Sequence, residues 1–267
     1  MLNRFTRYAA GLMAMTCAAL SPAHAEDTAD QLMERNFFVT KVSAMRVQMT
    51  MQLIAPDSQK RERKMETTSK LQKNGIDSNL IVRFQYPADI KGTAFLEVER
   101  IDADDDIWIY LPALQKVRRI VANNKKDSFM GSDFSYGEML PPRVEAYKHT
   151  LLGTETIDGL PCGIVQSIPA SDKVRDDSGY SKKVTWLDKN SALEVKVDYY
   201  DLEGKLLKVQ RVHGPKLVDP EKNKWLAQVR EMTNVQTGHK TVVSLDEIDT
   251  HVSLSDAAFS TRAIEGK

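Results

Sequence analysis

The sequence predicts a mainly β protein: a single curved antiparallel sheet forming a half-open β-barrel, with an N-terminal helix and a short helical or loop lid. Three observations carry that expectation. Apolar residues recur with a period of two over most of residues 45–252. Turn signals interrupt that alternation roughly every eight to twelve residues, the spacing of a meandering sheet. Only residues 28–38 have a clear helical period, with Ala29, Leu32 and Met33 on one side and Asp27 placed to cap them. No linker, repeat or low-complexity tract divides the chain, so residues 26–267 are expected to form one domain.

Residues 1–25 have the make-up of a cleavable signal peptide. Arg4 and Arg7 give a positive start, an apolar stretch too short to span a bilayer follows, and Ala23-His24-Ala25 offers small residues for cleavage after Ala25. Ala14-Met15-Thr16 lacks the leucine and the small residue that precede a lipidated cysteine, which argues against lipidation at Cys17. The mature protein is thus expected to be soluble in an exported compartment. The full chain has 37 basic and 37 acidic residues. Losing two arginines leaves it slightly acidic, which gives no electrostatic case for nucleic acid or firm membrane-surface binding. Cys162 is the one cysteine beyond the leader, so the fold must rest on its core. Leu160-Pro161-Cys162-Gly163 places no cation or histidine beside the thiol, which reads as a small buried residue.

The strands follow in order. Met45, Val47, Met49, Met51 and Leu53 alternate with polar residues in one long half-buried strand, turned by Ala55-Pro56-Asp57-Ser58. A charged strand over 60–73 ends at Asn74-Gly75, a hairpin signal. Leu80, Val82, Phe84 and Tyr86 form the next apolar face, and residues 93–100 resume after a break at Pro87. Ile107, Ile109 and Leu111 on one face and Trp108 and Tyr110 on the other mark a strand covered on both sides, ended by Pro112. Residues 116–121 form a basic strand. Beyond 149 come strands over 149–157, 162–168, 182–187, 193–200, 205–212, 225–233 and 240–252. Residues 169–179 and 215–220 read as loops.

Residues 127–140 are unusual for a loop. They hold Phe129, Met130, Phe134, Tyr136, Met139 and Leu140 among Gly, Ser and Asp. Such a segment either folds onto the sheet as a plug or covers a cavity.

Val117-Arg118-Arg119-Ile120, followed by Asp127-Ser128-Phe129-Met130-Gly131-Ser132-Asp133-Phe134-Ser135-Tyr136, resembles the signature of the LolA/LolB-like superfamily, in its longer branch of outer-membrane lipoprotein-sorting proteins. The resemblance is specific over about thirty residues here. It implies a half-open barrel closed by helices, a periplasmic location, and an apolar cavity for lipid or acylated cargo passed toward the outer membrane. It also implies an RND-type exporter or an outer-membrane acceptor as partner. The residues that could build such a cavity are Met45, Val47, Met49, Met51, Leu53, Leu80, Val82, Phe84, Ile107, Ile109 and Leu111, with Phe129, Met130, Phe134 and Tyr136 as lid or plug. Moving one CH₂ into water costs about 0.8 kcal/mol, so a chain of about sixteen carbons costs on the order of 10 kcal/mol unshielded. Methionine, soft and adaptable, suits a wall for acyl chains, though the same stripe also serves ordinary core packing.

Arg118, Arg119, Lys125 and Lys126 could hold a lipid headgroup or dock a partner, since arginine suits phosphate. They could equally be a solvent face balanced by Asp127 and Asp133. The sequence has no nucleophile elbow, zinc-protease, phosphate-loop or dinucleotide motif. Single scattered histidines give no metal site. Asp102-Ala103-Asp104-Asp105-Asp106 lacks the later glycine and acid of a calcium loop and reads as a solvated turn. The expectation is a monomer without enzyme activity or cofactor. The alternative to a carrier is an assembly factor that uses the same fold as a docking surface, its cavity filled by its own side chains. A hydrolase would have to use Asp127, Ser128 and Asp133.

Overall fold

The computed structural model describes residues 27–100, 102–121, 124–141 and 143–266. The expected signal peptide, with its cleavage site and Cys17, lies outside them. The chain opens with α1 (Ala29–Val39). Thr28, not Asp27, caps it: the Gln31 amide donates to Thr28 Oγ1 at 3.2 Å, and the Gln31 side chain accepts from the Thr28 amide at 2.8 Å. Asp27 instead takes the Arg35 guanidinium at 2.5 Å. Ala29 and Leu32 bury against Val165 and Leu187.

Thirteen strands form one antiparallel sheet: β1 (Ala44–Ile54), β2 (Lys60–Leu71), β3 (Ser78–Tyr86), β4 (Ala94–Val98), β5 (Asp106–Leu111), β6 (Lys116–Ile120), β7 (Tyr147–Ile157), β8 (Leu160–Pro169), β9 (Lys182–Asp188), β10 (Glu194–Tyr200), β11 (Leu206–Asp219), β12 (Lys224–Asn234) and β13 (Lys240–Asp249). Their spatial order is β6-β5-β4-β3-β2-β1-β13-β12-β11-β10-β9-β8-β7. Each half is a meander, and β1 pairs with β13 to join them. β6 and β7 are therefore consecutive in sequence yet lie at opposite edges. The segment between them, residues 121–146, has to cross from one edge to the other.

The sheet curls without closing and forms a half-open barrel. Seven strand steps separate β4 from β10, roughly 34 Å in a flat sheet. Yet Phe95 on β4 and Val197 and Tyr199 on β10 belong to one core cluster with Phe129 and Phe134 of the crossing segment. A second cluster lies on the other face. There Ala94, Leu96, Trp108 and Tyr110 pack against Phe259 and Ile264, carried by the C-terminal turn and α3 (Thr261–Ile264). That covers β5 on both faces, as its sequence requires.

Three local expectations are corrected. Residues 215–220 are not simply a loop, because β11 continues to Asp219, with Pro215 opposite Ala227 on β12. β10 pairs only as far as Arg211. Pro215 thus sits on a free edge, where its missing N–H costs no ladder bond. Residues 169–179 contain α2 (Asp172–Ser178), capped by Ser171 and ended by Gly179 at φ +75°. Tyr86, expected on an apolar face, is 51% exposed.

Candidate functional site

A cavity of about 570 Å³ occupies the concave face. Met45, Val47, Met49 and Met51 of β1 form its central wall, because alternation in β1 turns them all to one side. Met65 of β2 and Leu80 and Val82 of β3 extend it. Val243 and Leu245 of β13 continue it on the other side. Met33 and Phe37 of α1 and Phe134, Met139 and Leu140 of the crossing segment face it. Six of the eight methionines beyond residue 25 line this space, which favours the reading of the methionine strand as a soft wall. Thr67 Oγ1 donates to Met49 Sδ at 3.0 Å, so this wall hydroxyl is satisfied.

Of the residues the sequence nominated, Met45, Val47, Met49, Met51, Leu80, Val82 and Phe134 line the cavity. Leu53, Phe84, Ile107, Ile109, Leu111, Phe129, Met130 and Tyr136 do not. Leu53, Phe84, Ile107, Phe129, Met130 and Tyr136 instead pack in one core cluster that adjoins the cavity wall. Phe129 is fully buried, its ring 5.9 Å from Phe84, 5.4 Å from Phe95 and 5.5 Å from Tyr136. The Phe129 amide donates to the Phe134 carbonyl at 2.7 Å, closing a tight loop, and Arg63 donates to the Met130 carbonyl. The crossing segment is thus a plug at its Phe129 end and a cavity wall at its Phe134–Leu140 end.

Buried polar contacts pin this segment to the far half of the sheet. Lys208 Nζ lies 3.0 Å from Glu138 Oε2 and donates to the Asp133 carbonyl at 2.8 Å. Tyr180 Oη donates to Glu138 Oε1 at 2.6 Å. Burial pushes the Glu138 carboxyl up, but Lys208, the Tyr180 hydroxyl and the Ser135 amide outweigh it and hold Glu138 below its ordinary range. Asp133 accepts from Thr241 Oγ1 and lies 2.7 Å from His239 Nδ1. These bonds give Asp133 a structural task.

The cavity also has a charged end. Lys41 Nζ meets Glu99 Oε2 at 2.5 Å, both side chains 3% exposed, and the Ser78 amide donates to the same oxygen. Burial pushes Lys41 down and Glu99 up, and each partner's charge opposes this. Arg143 pairs with Asp77. Glu97 sits opposite Leu80 on β3 and Ile107 on β5. Burial between these apolar neighbours raises its carboxyl well above the ordinary range, Asp105 adding to this and Lys125 opposing it. None of Lys41, Glu97, Glu99 or Arg143 was singled out from sequence. The signal was the run Phe95-Leu96-Glu97-Val98-Glu99, in which acids share a face with a core phenylalanine.

The basic set is divided. Arg119 pairs with Asp106 at 2.5 Å and Lys125 with Asp105 at 3.2 Å, while Arg118 and Lys126 are exposed. The balancing acids are therefore Asp105 and Asp106, not Asp127 and Asp133. Asp104 pairs with Lys173 of α2 with both side chains exposed, so the acidic turn is solvent-facing and ion-paired. Among the described residues no cluster of His, Cys, Asp or Glu could hold a metal ion. His149 is satisfied by Ser167 and the Val144 carbonyl. Cys162 is buried, and burial pushes its thiol up. Among the described residues no helix is long and apolar enough to cross a membrane.

A family model described as "Uncharacterized protein" matches residues 77–266. A crystal structure described as an outer membrane lipoprotein-sorting protein domain, from Vibrio parahaemolyticus, is 31% identical, with a TM-score of 0.81 over 89% of this chain and 98% of that one. This chain belongs to the same family as that outer-membrane lipoprotein-sorting protein domain. A DUF1329 family protein from Desulfovibrio piger is 30% identical, with a TM-score of 0.81 over 88% of this chain and 97% of that one. A LolA superfamily protein from Nitrosomonas europaea is 19% identical, with a TM-score of 0.69 over 89% of this chain and all of that one, a likeness of fold. No curated protein matches the chain.

Proposed function

We propose that this protein is a periplasmic carrier. With residues 1–25 removed, residues 26–267 would bind lipid or lipid-anchored cargo in the concave cavity and pass it toward the outer membrane. The observation that carries the reading is the cavity itself. A volume of about 570 Å³ lies within the roughly 300–1,000 Å³ of ligand sites, and its central wall is methionine and aliphatic. A folded core left to itself fills such a space, since empty volume forfeits packing energy. Membership in the lipoprotein-sorting family supports the kind of cargo. The carrier would act as a monomer and without catalysis. An RND-type exporter as donor, or an outer-membrane acceptor, extends the reading to partners. The exposed Arg118 and Lys126 are the residues for that docking.

The test is uptake of the apolar dye N-phenylnaphthylamine, whose fluorescence rises on leaving water. The native protein takes it up, and Met49→Asp, which sets a carboxylate in the wall, abolishes uptake. A native protein that leaves the dye in water contradicts the carrier reading.

One observation favours a second reading, a docking factor. Phe129 fills part of the half-barrel with the chain's own side chain. On that reading the remaining cavity takes up neither dye nor lipid.

A further inference from the structure

One group at the charged end of the cavity has an oxygen without a hydrogen-bond partner among the described residues. On β4, Ala94 and Leu96 pack under the C-terminal cover and Phe95 packs in the concave core. Alternation therefore turns Glu97 onto the concave face, where it lines the cavity. The residue is 3% exposed, and its Oε2 is buried with no hydrogen-bond partner among the described residues. Buried polar atoms are nearly always paired, and one that is not calls for a missing partner.

Three cations of the charged end are matched elsewhere. Lys41 is held by Glu99, Arg143 by Asp77 and Lys125 by Asp105. These three cations are thus not free for an anionic ligand, and an ionised Glu97 or Glu99 would repel it. What this end of the cavity offers is a carboxyl oxygen beside an apolar wall.

We infer that Glu97 is the head-group acceptor of the cavity, so that the cargo is an amphiphile whose chain lies on the methionine wall and whose head carries a hydrogen-bond donor, a hydroxyl or an amine, and no negative charge. The inference rests on the carrier reading and names its ligand class. Either protonation state serves. A carboxylate accepts from an ammonium or a hydroxyl. A carboxylic acid accepts at its carbonyl oxygen and donates its proton to a hydroxyl. A phosphate head finds these three cations already paired and meets a like charge where Glu97 or Glu99 is ionised.

The experiment is displacement of N-phenylnaphthylamine by three ligands of one chain length: monopalmitoylglycerol, hexadecylamine and hexadecyl phosphate. In the native protein the hydroxyl and amine ligands displace the dye at concentrations about tenfold or more below that of the phosphate. In Glu97→Met that ratio falls toward one. Equal displacement by all three in the native protein overturns the assignment and leaves the carrier reading standing, as does an unchanged ratio in Glu97→Met. If Glu97→Met fails to fold, the native series alone decides. A native protein that takes up no dye overturns the carrier reading and this inference with it.

Discussion

Glu138 and Lys208 form a buried ion pair, 3.0 Å between Oε2 and Nζ, that ties the edge-to-edge crossing segment to β11. Lys208→Met would leave the Glu138 carboxylate buried without its cation. Breaking a buried pair by removing one partner costs about 3–5 kcal/mol. Urea unfolding at neutral pH should show that loss. Glu138 titrates below its unfolded value. Its stabilisation is therefore present above the unfolded carboxylate range and is lost as pH falls through the folded value. The gap between native protein and variant should accordingly narrow on acidification. A gap that is constant with pH would mean the pair does not hold the segment.

Glu97 has the opposite sign. Its folded value is raised, so its contribution is fully present below the unfolded carboxylate range and is lost as pH rises through the folded value. Glu97→Gln keeps the shape and removes the titration. The variant should gain stability over the native protein as pH is raised from about 5 to about 9, starting just above the ordinary carboxylate range. Thermal unfolding across that range measures it. A variant less stable than the native protein throughout would mean that the carboxylate is favourably paired.

Phe129→Ala separates plug from lid. The ring is fully buried among Phe84, Phe95 and Tyr136, so its removal should cost about 3–5 kcal/mol, as for a core phenylalanine. A loss below about 1 kcal/mol in urea would show that the Phe129 end is a loose cover.

Much of the fold was legible because one face of each strand is buried. The alternation from Met45 to Leu53 fixed both the strand and the side that lines the cavity. Covering of β5 on both faces could be read from Ile107 and Trp108, but the C-terminal residues that supply the outer cover could not. Phe259 and Ile264 lie in a short polar stretch with no period of its own. The extension of β11 through Pro215 depends on where β10 stops, which is a property of the sheet and not of the local sequence. The cavity wall was half legible. Periodicity gives the face of a residue but not its height along the barrel, so Phe84 and Ile109 were grouped with Val82 although they do not line the cavity. Glu97 escaped notice because an acid in a strand ordinarily marks the solvent side. Here the outer face is the apolar one beneath the C-terminal cover.

The central claim is that the concave cavity holds a lipid. Native mass spectrometry with lipid extraction, on protein released from its own periplasm without detergent, tests it most directly. The account predicts a bound lipid or acylated peptide, lost in Met49→Asp. A native protein that carries no lipid, and that takes up neither dye nor amphiphile when these are supplied, would contradict it.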